Sequence, residues 1–204
     1  MVWMFVRFLD AHGLYVPGLF RVPGNTEKIQ QLKSTFDAGE HVEFDERKIH
    51  EVHEVATLLK MYFRELPEPV VPTAFYHPML EASVKASRAC DLPEFVETVR
   101  FLVTQLPEIN RTCVRLLFAF LLRVSLLSAE NLMTTENLGI VFAPNLLRAP
   151  NATEMNVMDL QQHLAAGIPK APHITALDYI RGLTLREGLL LRERGVSPGL
   201  ERAG

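Results

Sequence analysis

The chain has 204 residues, 48% of them apolar, and a formal charge of −3 with a pI near 6.2. That is material enough for one buried core and too little for two comfortable ones, and the mild acidity excludes attraction to nucleic acid or anionic lipid through a broad cationic field. Two cysteines, Cys90 and Cys113, are too few for a disulfide framework and suit a reducing compartment.

The longest apolar stretch, 116–127, is about a dozen residues interrupted by Arg123, short of the roughly 20 needed to cross a bilayer. It reads as a buried helix. The opening Met1-Val2-Trp3-Met4-Phe5-Val6 is apolar, but Arg7 and Asp10 follow at once and no small-residue cleavage site appears. A cytoplasmic protein without a secretory signal is therefore expected, with other regions or partners available to recruit it to membranes.

Apolar residues recur at helical spacing through most of the chain and strand-like alternation is nearly absent, which predicts an all-α, single-domain bundle of about eight helices. The first helix uses Trp3, Val6 and Leu9 and closes at Gly13, a residue suited to a left-handed turn. A loop over 14–25 follows. The second helix carries Ile29, Leu32 and Phe36 on one face and stops near Gly39. The third, over 51–65, ends before Pro67, because proline cannot continue the hydrogen-bond ladder.

After the proline-rich turn comes a helix over 74–86. The next is announced by Asp91-Leu92-Pro93-Glu94, spaced as a capping box with proline in the first turn, and ends at Pro107. The segment 110–128 is apolar nearly all round and is the expected central helix. Thr134 caps a short helix through Phe142 that Pro144 terminates. Weaker helical signals occupy 153–166 and 173–182, and the domain is expected to span 1–183 with a loose tail over 184–204.

Several chemistries lack their residues. No glycine-rich lysine loop offers a phosphate cradle, and no Gly-x-Ser-x-Gly elbow or Ser/His/Asp order marks a hydrolase. His50 and His53 are three apart where a zinc helix needs four, so no metal site is expected.

The informative positions are Arg21, Lys60, Arg64 and Asn145. Arg21 lies in Gly18-Leu19-Phe20-Arg21-Val22-Pro23-Gly24, where apolar neighbours can anchor a loop that proline stiffens and glycines turn, leaving one guanidinium outward. Taken alone, an arginine in a loop is most often a plain surface charge. Lys60 and Arg64 are four apart on the third helix beside Val52, Val55, Ala56, Leu59 and Phe63. Like charges at that spacing repel, and their helical neighbours Ala56, Thr57, Met61 and Phe63 offer no carboxylate. Either an outside partner faces the pair or both side chains snorkel over the core. Asn145, after Pro144, reads as a turn former or an outward-facing amide.

Three blocks carry a resemblance. Gly18-Leu19-Phe20-Arg21-Val22-Pro23-Gly24 resembles the finger loop of the RhoGAP domain. Leu58-Leu59-Lys60-Met61-Tyr62-Phe63-Arg64-Glu65-Leu66-Pro67-Glu68-Pro69 is similar to its lysine and arginine helix, and the run from Met133 through Asn137 and Pro144-Asn145 to Leu147 is similar to its third block. The resemblance implies a helical bundle that docks on the switch regions of a GTP-loaded Rho, Rac or related G protein. It implies that Arg21 is a catalytic arginine finger supplied in trans, Lys60 an interface lysine, Arg64 the residue that steadies the finger loop, and Asn145 a partner-binding asparagine. Asn137 matches a position that supports the preceding loop. GTP and Mg²⁺ belong to the partner, so the chain needs no cofactor of its own and is an activator rather than a self-contained enzyme. The alternative is a non-catalytic G-protein-binding module of the same fold. Choice among Rho-type partners would rest on contacts at the rim of the complex. The family's domain begins with a further segment ahead of the first helix here, and the likeness fades past Arg148, where Gly167-Ile168-Pro169-Lys170-Ala171-Pro172 interrupts the closing region.

Overall fold

A computed structural model describes residues 1–40, 42, 44, 52–89 and 92–148. The helices are α1 (Val2–His12), α2 (Thr26–Asp37), α3 (Val52–Glu65), α4 (Tyr76–Ala89), α5 (Leu92–Thr104), α6 (Glu108–Leu126), α7 (Ser128–Asn131) and α8 (Thr135–Leu146), with a 3₁₀ turn at Thr73–Phe75. No strand occurs among the described residues, as the helical periodicity predicts. The helical signals at 153–166 and 173–182, the tail at 184–204 and the Asp91 cap lie outside the described residues.

Helix α3 is the axis of the site, packing against α1, α2 and α8, while α6 packs against α1 and α8. The reason is compositional. Val52, Glu54, Val55, Ala56, Leu58, Leu59 and Phe63 are all buried on α3, too broad an apolar face for one neighbour to cover. On α6, Val114, Leu117, Phe118, Phe120, Leu121 and Val124 are buried, each contributing about 1.5–3 kcal/mol on leaving water.

The first helix differs from its sequence reading in one residue. Its core face is Val2, Phe5, Val6, Phe8 and Leu9, whereas Trp3 is 60% exposed with the Arg7 guanidinium 5.2 Å from its ring centroid. Trp3 follows Val2 by one residue, about 100° round the helix from the Val2-Val6-Leu9 stripe. Gly13 also differs. Its φ of −102° is right-handed, and glycine is required there by space, since a Cβ would meet the Leu9 carbonyl oxygen at 2.8 Å and Leu19 and Val52 side-chain carbons at 3.3 Å.

Helix α5 ends at Thr104, two turn hydrogen bonds ahead of Pro107, which caps α6. At the far end, Thr134 caps α8 by accepting the Asn137 N–H at 3.3 Å. Pro144 does not terminate that helix, which continues through Leu146. Proline removes only the bond to the carbonyl four residues back. The last turn survives because Leu146 is buried, its carbonyl accepts the Val71 N–H at 3.2 Å, and the Leu147 N–H reaches the Ala143 carbonyl at 3.0 Å.

Candidate functional site

The site is built around the loop between α1 and α2. At its centre Leu19 and Phe20 are buried to 0% and 1% exposure, and the next residue, Arg21, is exposed. Phe20 adopts a left-handed backbone, φ 70°, which for a bulky residue costs about 1–3 kcal/mol. The surroundings hold it there. Its ring packs edge-on against Phe142 of α8 at 4.8 Å and Phe120 of α6 at 6.1 Å. Its carbonyl oxygen accepts a 2.5 Å hydrogen bond from Lys60 Nζ. With Phe20 turned inward, the chain reverses direction and Arg21 leaves the core.

Short-range bonds lock the reversal. The Arg21 and Val22 N–H groups donate to the Gly18 carbonyl at 2.8 and 2.9 Å. Gly18 itself is left-handed, φ +71°, and a Cβ on it would lie 2.7 Å from Val22 Cγ2, so a side chain there would be strained and would have to displace Val22. Upstream, Asn131 is completely buried and satisfies every group of its amide. Its Nδ2 donates to the Leu14 and Val124 carbonyls and its Oδ1 accepts the Met133 N–H, all at 2.8 Å, while its main-chain carbonyl accepts the Gly18 N–H at 2.7 Å. Downstream, Gly24 lies so close to α3 that a Cβ would stand 2.7 Å from Glu54 Cα. There the Asn25 N–H donates to Glu54 Oε1 at 3.1 Å and the Gly24 N–H to Thr57 Oγ1 at 3.4 Å.

Lys60 is half-buried on α3. Burial pushes its ammonium below the usual lysine range, and the like charge of Arg64 one turn on adds to the shift. Arg64 is exposed in the last turn, and the neighbouring Glu65 pairs with Lys33 of α2 at 3.0 Å. Lys60, which the resemblance implied to be an interface lysine, makes a direct contact from α3 to the loop. The acceptor that helical spacing could not supply is a main-chain carbonyl brought over by the loop.

Asn145 is within the final turn of α8, not beyond it, and its Nδ2 donates back to the Val141 carbonyl at 2.7 Å. Asn137, in the first turn, donates from Nδ2 to the carbonyl of Leu132 at 3.2 Å, and Leu132 is the left-handed residue, φ 61°, that links α7 to α8. Arg148, just after α8, donates to the Leu66 carbonyl at the end of α3, and Asn110 Nδ2 of α6 holds the Val70 carbonyl in the following turn at 2.9 Å. Arg21, Lys60 and Asn145 accordingly belong to three elements meeting around Phe20 and Phe142. Asn137 sits at the opposite end of α8.

Two structural residues of this site escaped the sequence reading. Asn131 lies in a short helix, α7, with no apolar period of its own. Glu54 falls on the buried face of α3, in register with Leu58 one turn later, and a carboxylate in an apolar stripe was the available signal.

The described residues form an all-helical bundle in which Arg21 is exposed on a loop fixed at both flanks. The sequence pattern of the RhoGAP domain matches residues 1–151, and the chain belongs to the RhoGAP domain family. It is 39% identical over 146 residues to mouse Rho GTPase-activating protein 15, covering 72% of this chain and 30% of the relative. It is 41% identical over 154 residues to the Rho GTPase-activating protein gacY of Dictyostelium discoideum, covering 76% and 20%. The chain thus spans less than a third of the length of these curated relatives. Among solved structures it superposes on human Rho GTPase activating protein 15 with a TM-score of 0.71 at 33% identity, covering 92% of this chain and 80% of the other. The BH domain of GRAF, the GTPase regulator associated with focal adhesion kinase, gives 0.65 at 27% identity, covering 96% and 92%. No helix among the described residues is long and apolar enough to cross a membrane.

Proposed function

We propose that this chain accelerates hydrolysis of GTP held by a Rho-type small G protein, inserting Arg21 into the partner's nucleotide site. The supporting observation is the exposed Arg21 beside a fully buried Phe20 whose carbonyl is held by Lys60 at 2.5 Å. Its relatives are named Rho GTPase-activating proteins, in keeping with this reading.

The chemistry follows from where charge develops. As the γ-phosphoryl group leaves, negative charge gathers on the oxygens between the β and γ phosphates. A guanidinium set there stabilises the transition state more than bound GTP. Fingers of this kind raise turnover by about 10³–10⁵, equivalent to roughly 4–7 kcal/mol. Nucleotide, Mg²⁺ and the attacking water belong to the partner, and this chain contributes the cation, its orientation and the exclusion of bulk solvent. A prefixed loop matters because ordering a free arginine during the reaction would cost side-chain and backbone entropy.

The test is single-turnover GTP hydrolysis by a Rho-type protein at saturating wild type or Arg21→Ala, with binding measured in parallel. The expected result is loss of most acceleration with affinity for the GTP-loaded partner nearly intact, the mark of an interaction made only in the transition state. Equal rates with the two proteins would overturn the finger assignment and leave a non-catalytic binding module.

A further inference from the structure

We infer that Asn131, buried beneath the loop and out of reach of any bound partner, is a positioning residue that sets the catalytic effectiveness of Arg21. This rests on the reading of Arg21 as the inserted residue. The geometry is specific to one side chain. Asn131 donates two hydrogen bonds from Nδ2, to Leu14 at the start of the loop and to Val124 in the last turn of α6. It accepts one at Oδ1 from Met133 N–H, and its own carbonyl accepts the Gly18 N–H at 2.7 Å. Only a planar amide offers two donors and an acceptor at that length. Leucine would leave the Leu14 and Val124 carbonyls and the Met133 N–H without this partner, and aspartate would set a carboxylate oxygen against those two carbonyls.

The clamp bears directly on Arg21. Gly18, held by the Asn131 carbonyl, is the residue whose own carbonyl receives the Arg21 and Val22 N–H groups. Two bonds therefore lead from Asn131 at the end of α7 to the Arg21 backbone, independently of the Lys60 contact on Phe20. Loosening the first link lets the loop shift while the docking face stays in place. Misplacement of a catalytic group by about 1 Å costs on the order of 10²-fold in rate.

The experiment compares wild type, Asn131→Asp and Asn131→Ala, each alone and combined with Arg21→Ala. Single-turnover hydrolysis is read at a saturating level of properly folded protein, together with affinity for the GTP-loaded partner. We expect each Asn131 variant to lower the saturated rate about tenfold to 10²-fold with affinity changed less than about threefold. In the Arg21→Ala background the same change should have no further effect on rate, because the arginine it positions is gone. A merely structural role predicts instead lower melting temperature and a reduced folded fraction, with unchanged rate per folded molecule, and that result would overturn the inference. So would a rate loss that persists undiminished without Arg21. Should the variants fail to fold, amide exchange in the wild type decides: the Gly18 N–H must be protected like the core, and exchange at the pace of a free loop would refute the clamp. If Arg21→Ala itself left hydrolysis unaltered, the functional reading would fail, a result distinct from failure of the Asn131 assignment.

Discussion

Lys60 Nζ donates to the carbonyl oxygen of Phe20 across 2.5 Å, joining residues 40 apart in the chain. The bond fixes the peptide immediately before Arg21. The contact makes loop geometry one expected route for an effect of Lys60, beside the interface role that the resemblance implied.

Lys60→Met, which keeps the stem and removes the donor, is expected to lower the saturated hydrolysis rate about tenfold or more. Affinity for the GTP-loaded partner should fall less. A lysine acting at the rim would show the reverse, with association rate and salt dependence carrying the loss. Stopped-flow binding at low and high salt beside single-turnover hydrolysis separates the two outcomes.

The same lysine gives stability a defined pH dependence. Burial first, and the Arg64 charge second, lower its pKa from 10.5. In the folded state it therefore releases its proton before the unfolded chain does. Between the lowered value and 10.5 the unfolded chain binds more protons, so stability rises with pH across that window and is flat below it. Urea titrations of wild type and Lys60→Met should show the difference in unfolding free energy moving in favour of wild type as pH approaches 10.5. A difference that moves the other way would contradict the burial.

Phe20 carries opposed contributions that substitution can separate. Its ring is 1% exposed and its φ is 70°. Phe20→Ala should cost about 3–5 kcal/mol through the cavity it leaves. Phe20→Gly loses the same ring, but it sheds a left-handed penalty of about 1–2 kcal/mol that alanine retains. The glycine variant should accordingly be the more stable by about 1 kcal/mol, against the usual order in which glycine loses more entropy than alanine. Denaturant midpoints with matched m-values measure this directly.

Asn145→Ala should separate binding from folding. The side chain's hydrogen bond to Val141 is worth about 0.5–1.5 kcal/mol net, and alanine's better helix propensity offsets about half a kcal/mol of its loss. The melting temperature should change by a few degrees at most. Affinity for the GTP-loaded partner should fall about tenfold, one removed polar contact at an interface being worth about 1.4 kcal/mol. A clear loss of stability with binding retained would make Asn145 a helix-end tie alone.

How much of this was legible in the residues depends on the range of the physics involved. The helices announce themselves because burial at a 3.6-residue period is written locally, and Ile29, Leu59 and Leu121 each repeat the pattern within one turn. The glycines, proline and apolar pair around Arg21 likewise spell out a loop that projects one side chain. Misreadings arose wherever distant groups set the outcome. Pro144 looks like a stop until the N–H of Val71 meets the carbonyl of Leu146, 75 residues further on, and helps hold the last turn. Asn131 carries no local signal, and its role comes only from its amide meeting Leu14, 117 positions away. Lys60 shows no counterpart along its own helix, because its counterpart is the carbonyl of Phe20. Side-chain spacing reports which faces will be buried, since apolar burial is non-directional and roughly additive in area. A hydrogen bond needs a particular atom at about 3 Å, and main-chain carbonyls carry no residue identity, so only the packed tertiary structure decides which polar side chain will meet which of them.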